Sequence, residues 1–462
     1  MIAEGEMNDF AQKLSGKFYD NLINLYKIMI KYKEDIQDGD SKDISNKMLK
    51  IKLLPSIHSY LQISSSLKEI IDNPYSFILK SDNKGMMSFH NLHPKYSSDR
   101  ATKGFHSRIF TSATISPQKD IALVLGLEDV LMARIDPVFD DKNYEVFMVG
   151  GINSSAKEEL KETNKCFGKN ENKVLEDLFE HAIDSARGKN IGIFCSSNRA
   201  VEEIHGLLNN IKPRYNAKLL TYIAKNGKPD KDEPEICDDY KDICQILGYE
   251  NQNLNNHNAE NVIKAFMDMG SKKDITTMLL GVAGGKLAEG IDYNGDKMEM
   301  VVTVGLPYPS SAAEQRINLV KKDYFYMLKG DRQLGEDLAY KQDAFRKLAQ
   351  SIGRAHRSKS DRAVIICADE MLMGIKNVKD GDYSSDRYEY LSLYNAKENL
   401  KLLQKPLSQI KENIVFSGHD AIGEQELKKY ISKSGFCTLN DFISLDKMSS
   451  KIKKFYRGSG KK

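Results

Sequence analysis

The feature that most constrains the fold is an alternation of short apolar runs with helical segments between about residues 172 and 369. Apolar runs without polar alternation are typical of strands buried on both faces of a parallel sheet. The order therefore predicts an α/β fold with a doubly wound, RecA-like parallel sheet. The predicted strands are 191–195, 218–223, 277–282, 298–304 and 363–368, and the predicted helices are 174–186, 200–208, 260–269 and two between 311 and 357.

The pattern differs on both sides of this region. Residues 1–85 place apolar side chains every three or four positions through about Leu79, which predicts a helical unit. Residues 86–140 predict a strand at 86–92, then at 108–117 a short apolar strand that runs into a hydroxyl-rich turn, and a helix from about Gln118 to Leu125. Residues 141–400 hold the parallel sheet, and residues 401–462 form a helical and basic tail. Two interpretations of the last twelve residues stay open, a solvated end and a contact with a nucleic-acid backbone.

Composition bounds the class of protein. A chain of 462 residues is too long for one core, and 40% hydrophobic with 29% charged residues is typical of a globular chain. No apolar run reaches the roughly 20 residues that span a bilayer, so we expect a cytoplasmic protein without a membrane partner. The six cysteines are scattered without Cys-x-x-Cys pairs, which predicts a reduced compartment and no metal site.

A basic stretch, Gln350-Ser-Ile-Gly-Arg-Ala-His-Arg357, lies before the last predicted strand. At about 100° per residue, Gln350, Gly353, Arg354 and Arg357 share one side of a helix. A guanidinium stays charged and binds phosphate oxygens in a fork, so this side fits an anion such as a transferring phosphoryl group. The alternative is an exposed basic helix end.

A glycine-rich loop follows another predicted strand, at Gly284-Gly-Lys-Leu-Ala-Glu-Gly-Ile-Asp-Tyr293. Ligands of α/β sheets bind at the carboxyl ends of strands, where such a loop lies. Lys286 supplies a positive charge, and Glu289 and Asp292 supply carboxylates. We expect Asp292 either to orient an arginine or to bind a ribose hydroxyl, while an ordinary polar loop remains the alternative.

Three hydroxyls, on Thr111, Ser112 and Thr114, cluster at the end of the strand predicted at 108–117. Helix capping accounts for Ser116 but less well for these three, so they are candidate ligand contacts.

Together these segments resemble the XPD/DinG group of superfamily 2 DNA helicases, and most of all its archaeal XPD branch. The resemblance covers roughly residues 86–375, and residues 1–85 resemble the remainder of that family's Arch domain. It is carried by five motifs in order: Thr-Ser-Ala-Thr (111–114), Ile-Phe-Cys-Ser-Ser (193–197), Gly-Gly-Lys-Leu-Ala-Glu-Gly-Ile-Asp (284–292), Gly-Leu-Pro-Tyr-Pro (305–309) and Gln-Ser-Ile-Gly-Arg-Ala-His-Arg (350–357).

The resemblance implies a role for each matching residue. It implies ATP with Mg²⁺ as cofactor, single-stranded DNA as partner and 5′ to 3′ movement. Arg354 and Arg357 would be catalytic groups that reach the γ-phosphate. The nucleotide-binding residues would be Gln350, Gly353, Glu289, Gly290 and Asp292, and the DNA contacts would be Thr111, Ser112, Thr114, Ser196, Ser197 and Lys286.

One departure from the family concerns the Walker A loop. No Gly-x-x-x-x-Gly-Lys-Ser/Thr is present in the 462 residues. The pair Asp369-Glu370 follows an apolar strand as a Walker B box does, but its place after the last motif argues against a magnesium site. The family's iron–sulphur cysteines also have no counterpart here. We therefore expect a separate or missing amino-terminal half that holds Walker A, the Asp-Glu-x-His box, most Mg²⁺ ligands and the cluster. The alternative function is a catalytically inactive DNA-binding or assembly module, and an unrelated nucleotide-binding protein is a remote third.

Overall fold

The computed structural model describes residues 24, 69–70, 73, 76–81, 87–102, 104–111, 118–127, 130–131, 141–152, 165–223, 235–236, 239–249, 259–288, 291–293, 295–308, 312–355, 360–369, 414–415 and 442–458. The chain divides into two compact units, Met1–Met132 with Gln315–Leu338 and Ala133–Glu314 with Ala339–Lys462. The first boundary lies near the predicted one at residue 140. The segment Gln315–Leu338, in contrast, belongs to the first unit although the sequence assigns it to 141–400.

Two lists give the elements of the described residues. The strands are β1 Phe77–Ser81, β2 Met87–Asn91, β3 Tyr144–Val149, β4 Asn190–Cys195, β5 Ala217–Ile223, β6 Glu235–Ile236, β7 Thr276–Val282, β8 Met300–Val304, β9 Ala363–Ala368, β10 Ile414–Val415 and β11 Phe442–Ile443. The helices are α1 Lys95–Thr102, α2 Gln118–Leu125, α3 Lys169–Ser185, α4 Asn198–Ile211, α5 Asp239–Leu247, α6 Ala259–Met269, α7 Ala312–Lys329, α8 Arg332–Glu336, α9 Gln342–Ile352 and α10 Leu445–Arg457.

The second unit is built on one sheet, which has nine strands in the part of the chain that the structure describes. Its order is β11-β10-β3-β9-β8-β4-β7-β5-β6, and each pair is parallel except β5 with β6. The predicted α/β, RecA-like fold is confirmed, and the five predicted strands are β4, β5, β7, β8 and β9. Strand β3 was not predicted, because Glu145 interrupts a short apolar run next to a polar segment.

Helices cover both faces of this sheet. On β4, Ile193 and Cys195 pack into a core formed with α3, α4 and α10, whereas Phe194 packs into a second core formed with α5 and α6. Alternation of side chains between two buried faces explains why the strands read as continuous apolar runs. Helices cover the faces of the sheet but not the ends of its strands. The loops there can therefore present polar side chains to solvent.

The carboxyl-terminal segment is part of this unit, which corrects the prediction of a separate tail at 401–462. Leu445, Met448 and Ile452 are buried, and α10 packs on α3. The apolar side chains recur every three or four residues, but the five basic residues between them obscure the pattern. Residues 442–458 are therefore structural rather than a frayed end.

The first unit contains the antiparallel hairpin β1–β2 and helices α1, α2 and most of α7. Strand β1 corrects the helical prediction for residues 77–79. Helix α2 has the predicted bounds, but residues 107–111 form neither a helix nor a strand, so the strand predicted at 108–117 is wrong for its described part. The helical prediction for residues 1–68 lies outside the described residues apart from Asn24, and residues 112–117 of the predicted hydroxyl-rich turn lie outside them too.

A buried histidine fixes α7 within this unit. His93 Nδ1 lies 2.9 Å from the Tyr324 hydroxyl, and His93 Nε2 lies 2.8 Å from the Leu123 carbonyl oxygen. Burial lowers the pKa of His93. The ring is therefore neutral at neutral pH and connects α7 to the end of α2.

Candidate functional site

The predicted motifs of the second unit lie at the carboxyl ends of neighbouring strands. Ser196 follows β4, Gly284 follows β7, Gly305 follows β8 and Asp369 follows β9, and these strands are adjacent in the order β9-β8-β4-β7. Backbone bonds continue the sheet into the loops, since Ser196 N donates to the Val304 carbonyl at 2.9 Å and Ala283 N donates to the Cys195 carbonyl at 2.8 Å. The structure thus brings three motif segments and Asp369 to one edge, as parallel topology requires.

The glycine-rich loop after β7 is a tight turn. Gly284 has φ +78°, a left-handed conformation that side chains other than glycine rarely adopt. Gly285 N donates to the Val282 carbonyl at 2.9 Å, and Ala288 N donates to the Gly285 carbonyl at 2.8 Å. Leu287 and Ala288 are buried while Lys286 is exposed. The turn therefore presents the ammonium group of Lys286 to solvent at the sheet edge.

Tyr293 fixes the far end of the same loop, and sequence reasoning assigned it no role. Its ring is fully buried, and its hydroxyl donates to the Leu287 carbonyl at 2.9 Å. Burial raises the pKa of Tyr293 well above its ordinary value, so the hydroxyl remains a donor. The signal in the sequence is an aromatic residue directly after a polar loop, which alone does not separate a loop anchor from ordinary core packing.

Arg354 holds the two most informative motifs together. Its Nε donates to the Ala288 carbonyl at 2.5 Å and its Nη1 donates to the Ile291 carbonyl at 2.9 Å. Nη1 also lies 3.9 Å from Asp292 Oδ1, and the arginine side chain is only 9% exposed. The expected interaction between a loop carboxylate and an arginine is therefore present, and it is combined with two charge-assisted bonds to backbone carbonyls.

The position of Arg354 corrects one prediction. We expected it on an exposed stripe with Gln350, but α9 ends at Ile352 and Gly353–Ala355 form a 3₁₀ turn. A 3₁₀ turn advances about 120° per residue instead of about 100°, which rotates the side chain away from the helical stripe. In this structure Arg354 is turned into its own lobe, and its predicted contact with a γ-phosphate stays a prediction.

The structure describes some of the remaining predicted residues of these two motifs and not others. Gln350 and Gly353 are half-buried at the end of α9. Arg357 lies outside the described residues, and so do Glu289 and Gly290 of the glycine-rich loop. The predictions for these three stay predictions.

The two serines after β4 have different surroundings. Ser197 is the N-cap of α4, and its hydroxyl accepts from Ala200 N at 3.3 Å and lies 3.9 Å from Cys166 Sγ. Capping thus gives Ser197 a structural task in addition to the predicted DNA contact. Ser196 follows the last residue of β4 and is half-buried, so its side chain lies partly in solvent at the carboxyl edge of the sheet.

Asp369 has a structural role. It is fully buried, and its Oδ2 accepts from Leu306 N at 3.0 Å, which fixes the start of the Gly-Leu-Pro-Tyr loop. This agrees with the argument against a Walker B function. In the described part of the chain, no group of three His, Cys, Asp or Glu side chains is arranged to hold a metal ion. Within the same residues, no helix is both long and apolar enough to cross a bilayer.

The hydroxyl cluster of the first unit is described only in part. Thr111 is exposed, while Ser112 and Thr114 lie outside the described residues. Ile109 beside it is 89% exposed, and Phe105 is 66% exposed. An apolar segment with this exposure lacks the sheet that the sequence predicts for it.

Known proteins are similar to part of this chain. Residues 181–380 match the family model described as "Helicase C-terminal domain". The regulator of telomere elongation helicase 1 homolog of Caenorhabditis elegans is 36% identical over 97 residues, which cover 20% of this chain and 10% of that protein. The general transcription and DNA repair factor IIH helicase subunit XPD/RAD3 of Saccharomyces cerevisiae is 27% identical over 169 residues, which cover 33% of this chain and 20% of that protein.

A solved structure titled XPD helicase is 17% identical, with a TM-score of 0.42 and coverage of 80% of this chain and 56% of that one. The matched segments cover only 10% and 20% of the two curated relatives, a small part of their length. The motif order, the sheet-edge geometry and the family match agree that residues 181–380 are similar to the C-terminal domain of helicases, among them the XPD-type relatives.

Proposed function

We propose that this chain supplies the second lobe of an ATP-dependent DNA helicase that couples ATP hydrolysis to 5′ to 3′ movement on single-stranded DNA. Another polypeptide segment would hold Walker A, the Asp-Glu-x-His box, most Mg²⁺ ligands and the iron–sulphur cluster. The observation that carries the proposal is the bond between the two motifs, in which the Arg354 guanidinium donates to the Ala288 and Ile291 carbonyls.

The geometry supports a division of tasks among the basic residues. Lys286 is exposed at the loop tip and fits a DNA phosphate. Arg357 and Gln350 would meet the nucleotide, and Glu289, Gly290 and Asp292 would line the same pocket. Arg354 would act as a positioning residue, because a shift of the 350–357 segment moves the loop that carries Lys286 through two charge-assisted bonds. Nucleotide state would in this way change the grip on DNA.

The need for another segment is supported by the first unit. Phe105 and Ile109 leave most of their apolar surface exposed in a segment without a strand partner. A first lobe completed by further parallel strands would bury this segment, and Thr111, Ser112 and Thr114 would then lie at its strand end.

The second candidate is a catalytically inactive module that binds DNA or assists assembly. It is favoured by the sequence itself, because every Gly-Lys pair is followed by a residue other than Ser or Thr. A chain of this kind would retain the Lys286 contact and bind single-stranded DNA without turning over ATP.

The test is DNA-stimulated ATP hydrolysis by the chain alone and in a mixture with the purified Walker A half of a related helicase. We expect no turnover alone, turnover in the mixture, and a loss of about 10³-fold in the mixture with Arg357→Ala, the size typical of an arginine finger. Arg346→Ala is the matched control, since this arginine lies on α9 and is half-exposed.

Two outcomes would contradict the proposal. Turnover by the chain alone that Arg357→Ala abolishes would show that no second segment is needed. Tight binding of single-stranded DNA without turnover in the mixture would favour the inactive module.

A further inference from the structure

Helix α10 has two faces of opposite character. Leu445, Met448 and Ile452 are buried against α3 and the sheet. On the other side, Lys447, Ser450, Lys454 and Arg457 are exposed, at spacings of three, four and three residues. These spacings place them along one line of the helix surface.

Two acidic groups near this line are paired with other cations. Asp184 on α3 accepts from Lys453 at 2.5 Å and from Arg187, and the Lys453 bond holds the pKa of Asp184 below its usual range. Glu180 pairs with Arg214, and Asp446 lies 3.1 Å from His181 Nε2. Within the described residues, no ion pair engages Lys447, Lys454 or Arg457. These three cations are therefore exposed and outside any ion pair of the described residues.

The shape and spacing of the basic line fit an extended anion. A surface depression of about 500 Å³ is lined by Ser450, Lys453, Lys454, Arg457 and Gly458. At 1.5 Å per residue the line from Lys447 to Arg457 is about 15 Å long. A DNA strand carries about four phosphates over that length at 3.4 Å of rise each.

The aromatic side chains of α10 are occupied by protein contacts. The Arg362 guanidinium lies 4.4 Å from the Phe455 ring centre, and Lys189 lies 5.1 Å from the Tyr456 ring centre. The Tyr456 hydroxyl donates to the Glu299 carbonyl at 2.8 Å. These rings are thus not presented as stacking platforms for bases, and the face offers charge alone.

The location of this face separates it from the motif loops. Arg362 precedes β9 and donates to the Phe455 carbonyl, and Glu299 precedes β8. The basic end of α10 therefore lies at the amino edge of the sheet, whereas Lys286 lies at the carboxyl edge.

We propose that Lys447, Lys454 and Arg457 form a second DNA contact, which binds the sugar–phosphate backbone without sequence preference. It follows the exposed face of α10, which begins after the carboxyl end of β11 and ends at the amino edge of the sheet. The inference rests on the proposed function, because DNA is the polyanion that a helicase lobe meets. Such a contact holds a strand that has left, or has not yet reached, the motif loops.

The experiment measures the affinity of the full chain for a fluorescent 30-nucleotide single strand by anisotropy over a range of salt concentrations. Each phosphate contact on a single strand contributes about −0.7 to the slope of log K against log salt. In the triple variant Lys447→Gln, Lys454→Gln, Arg457→Gln we expect the slope to become shallower by about 2. Affinity in 0.1 M salt should fall on the order of 100-fold, the value of that slope over one decade.

The matched control removes three exposed lysines from the opposite face of the sheet, Lys241, Lys264 and Lys272, by the same substitution to Gln. We expect this control to change the slope by less than about 0.5. A second variant, Lys447→Arg with Lys454→Arg, keeps the charges and should bind as the wild-type chain does. Circular dichroism melting curves establish that each variant is folded.

Three results would overturn the inference. One is an unchanged slope in the triple variant, and another is an equal loss in the matched control. The third is retained DNA binding by the triple variant with lost sedimentation on vesicles that contain phosphatidylserine, which would assign the face to a membrane surface. Failure of the proposed function looks different, since the mixture with the Walker A half would then hydrolyse no ATP while the triple variant still showed the shallower salt slope.

Discussion

The two edges of the sheet in the second unit differ in whether their polar side chains are paired or exposed to solvent. At the amino edge, Lys189 pairs with Glu299 at 2.5 Å, and Arg362 and Tyr456 bond to backbone carbonyls across the join with α10. At the carboxyl edge, glycine turns leave Lys286 exposed, and Asp292 keeps most of its carboxylate in solvent. The comparison teaches that this lobe gains stability at one edge and keeps polar groups accessible at the other.

Arg354 is an exception to this difference between the two edges. It belongs to the carboxyl edge, yet it is as buried as the core residues and satisfies two backbone carbonyls. A loop edge that must transmit a displacement needs at least one rigid connection, because mobile loops transmit little. The comparison is therefore tested by changing one group at a time on each edge.

The largest expected effect is on α10. Met448→Ala removes a fully buried side chain and should lower the free energy of unfolding by about 2–5 kcal/mol. Urea unfolding of the chain measures it, and Lys447→Ala on the exposed face should change stability by less than about 0.5 kcal/mol. Equal effects of the two substitutions would mean that α10 does not pack on α3 in solution.

The next effect is at the carboxyl edge. Arg354→Ala leaves the Ala288 and Ile291 carbonyls without their donors and should cost about 2–3 kcal/mol. Arg354→Lys should recover part of the stability, since an ammonium lacks the fork that reaches two carbonyls. The same denaturant curves report both variants, and a cost below about 0.5 kcal/mol would show that the guanidinium is solvated rather than buried.

A smaller effect is expected from the hydroxyl at the amino edge. Tyr456→Phe removes the bond to the Glu299 carbonyl and should cost about 1 kcal/mol at neutral pH. Burial raises the pKa of Tyr456 well above 10.0, so the unfolded state loses its proton first and stability falls as pH rises above that value. Melting temperatures between pH 8 and 11 should show this decline in the wild-type chain and less of it in the variant.

The smallest effect is at the surface of α3. Lys453 holds the pKa of Asp184 below its usual value of 3.8, so the pair stabilises the fold above that pH and loses its effect as pH falls through the lowered value. Because the pair is partly exposed, Asp184→Asn should cost less than about 1 kcal/mol at pH 7. The difference from wild type should shrink as pH falls below 3.8, and a constant difference at all pH values would exclude the ion pair as its cause.

Much of the sheet followed from the sequence because its strands are buried on both faces. Ile191 to Cys195 and Ala363 to Ala368 are apolar without interruption, and their predicted bounds agree with β4 and β9 to within one residue. Strands β10 and β11 have two residues each, which is too short for a pattern to form. Helix α10 was missed because lysines between its buried residues gave it the composition of a solvated tail.

The sequence predicted which loops form the candidate site, but not the side-chain contacts between them. Parallel topology is sufficient to bring the loops after β4, β7 and β8 to one edge, so their meeting follows from the strand prediction. The direction of Arg354 depends on a change from α-helix to 3₁₀ turn at Gly353, and local sequence does not fix where such a change occurs. The bond from Tyr293 to the loop likewise depends on tertiary packing.

The position of β10 and β11 in the sheet has a consequence for how the chain is made. Both strands and α10 come from residues after 413, yet they cover the β3 margin and one side of α3. These segments are therefore synthesised after every other strand of the sheet, and the nascent sheet exposes a pairing edge at β3 until they arrive. A variant that lacks residues 414–458 would be prone to aggregate, although every motif at the carboxyl edge would be present.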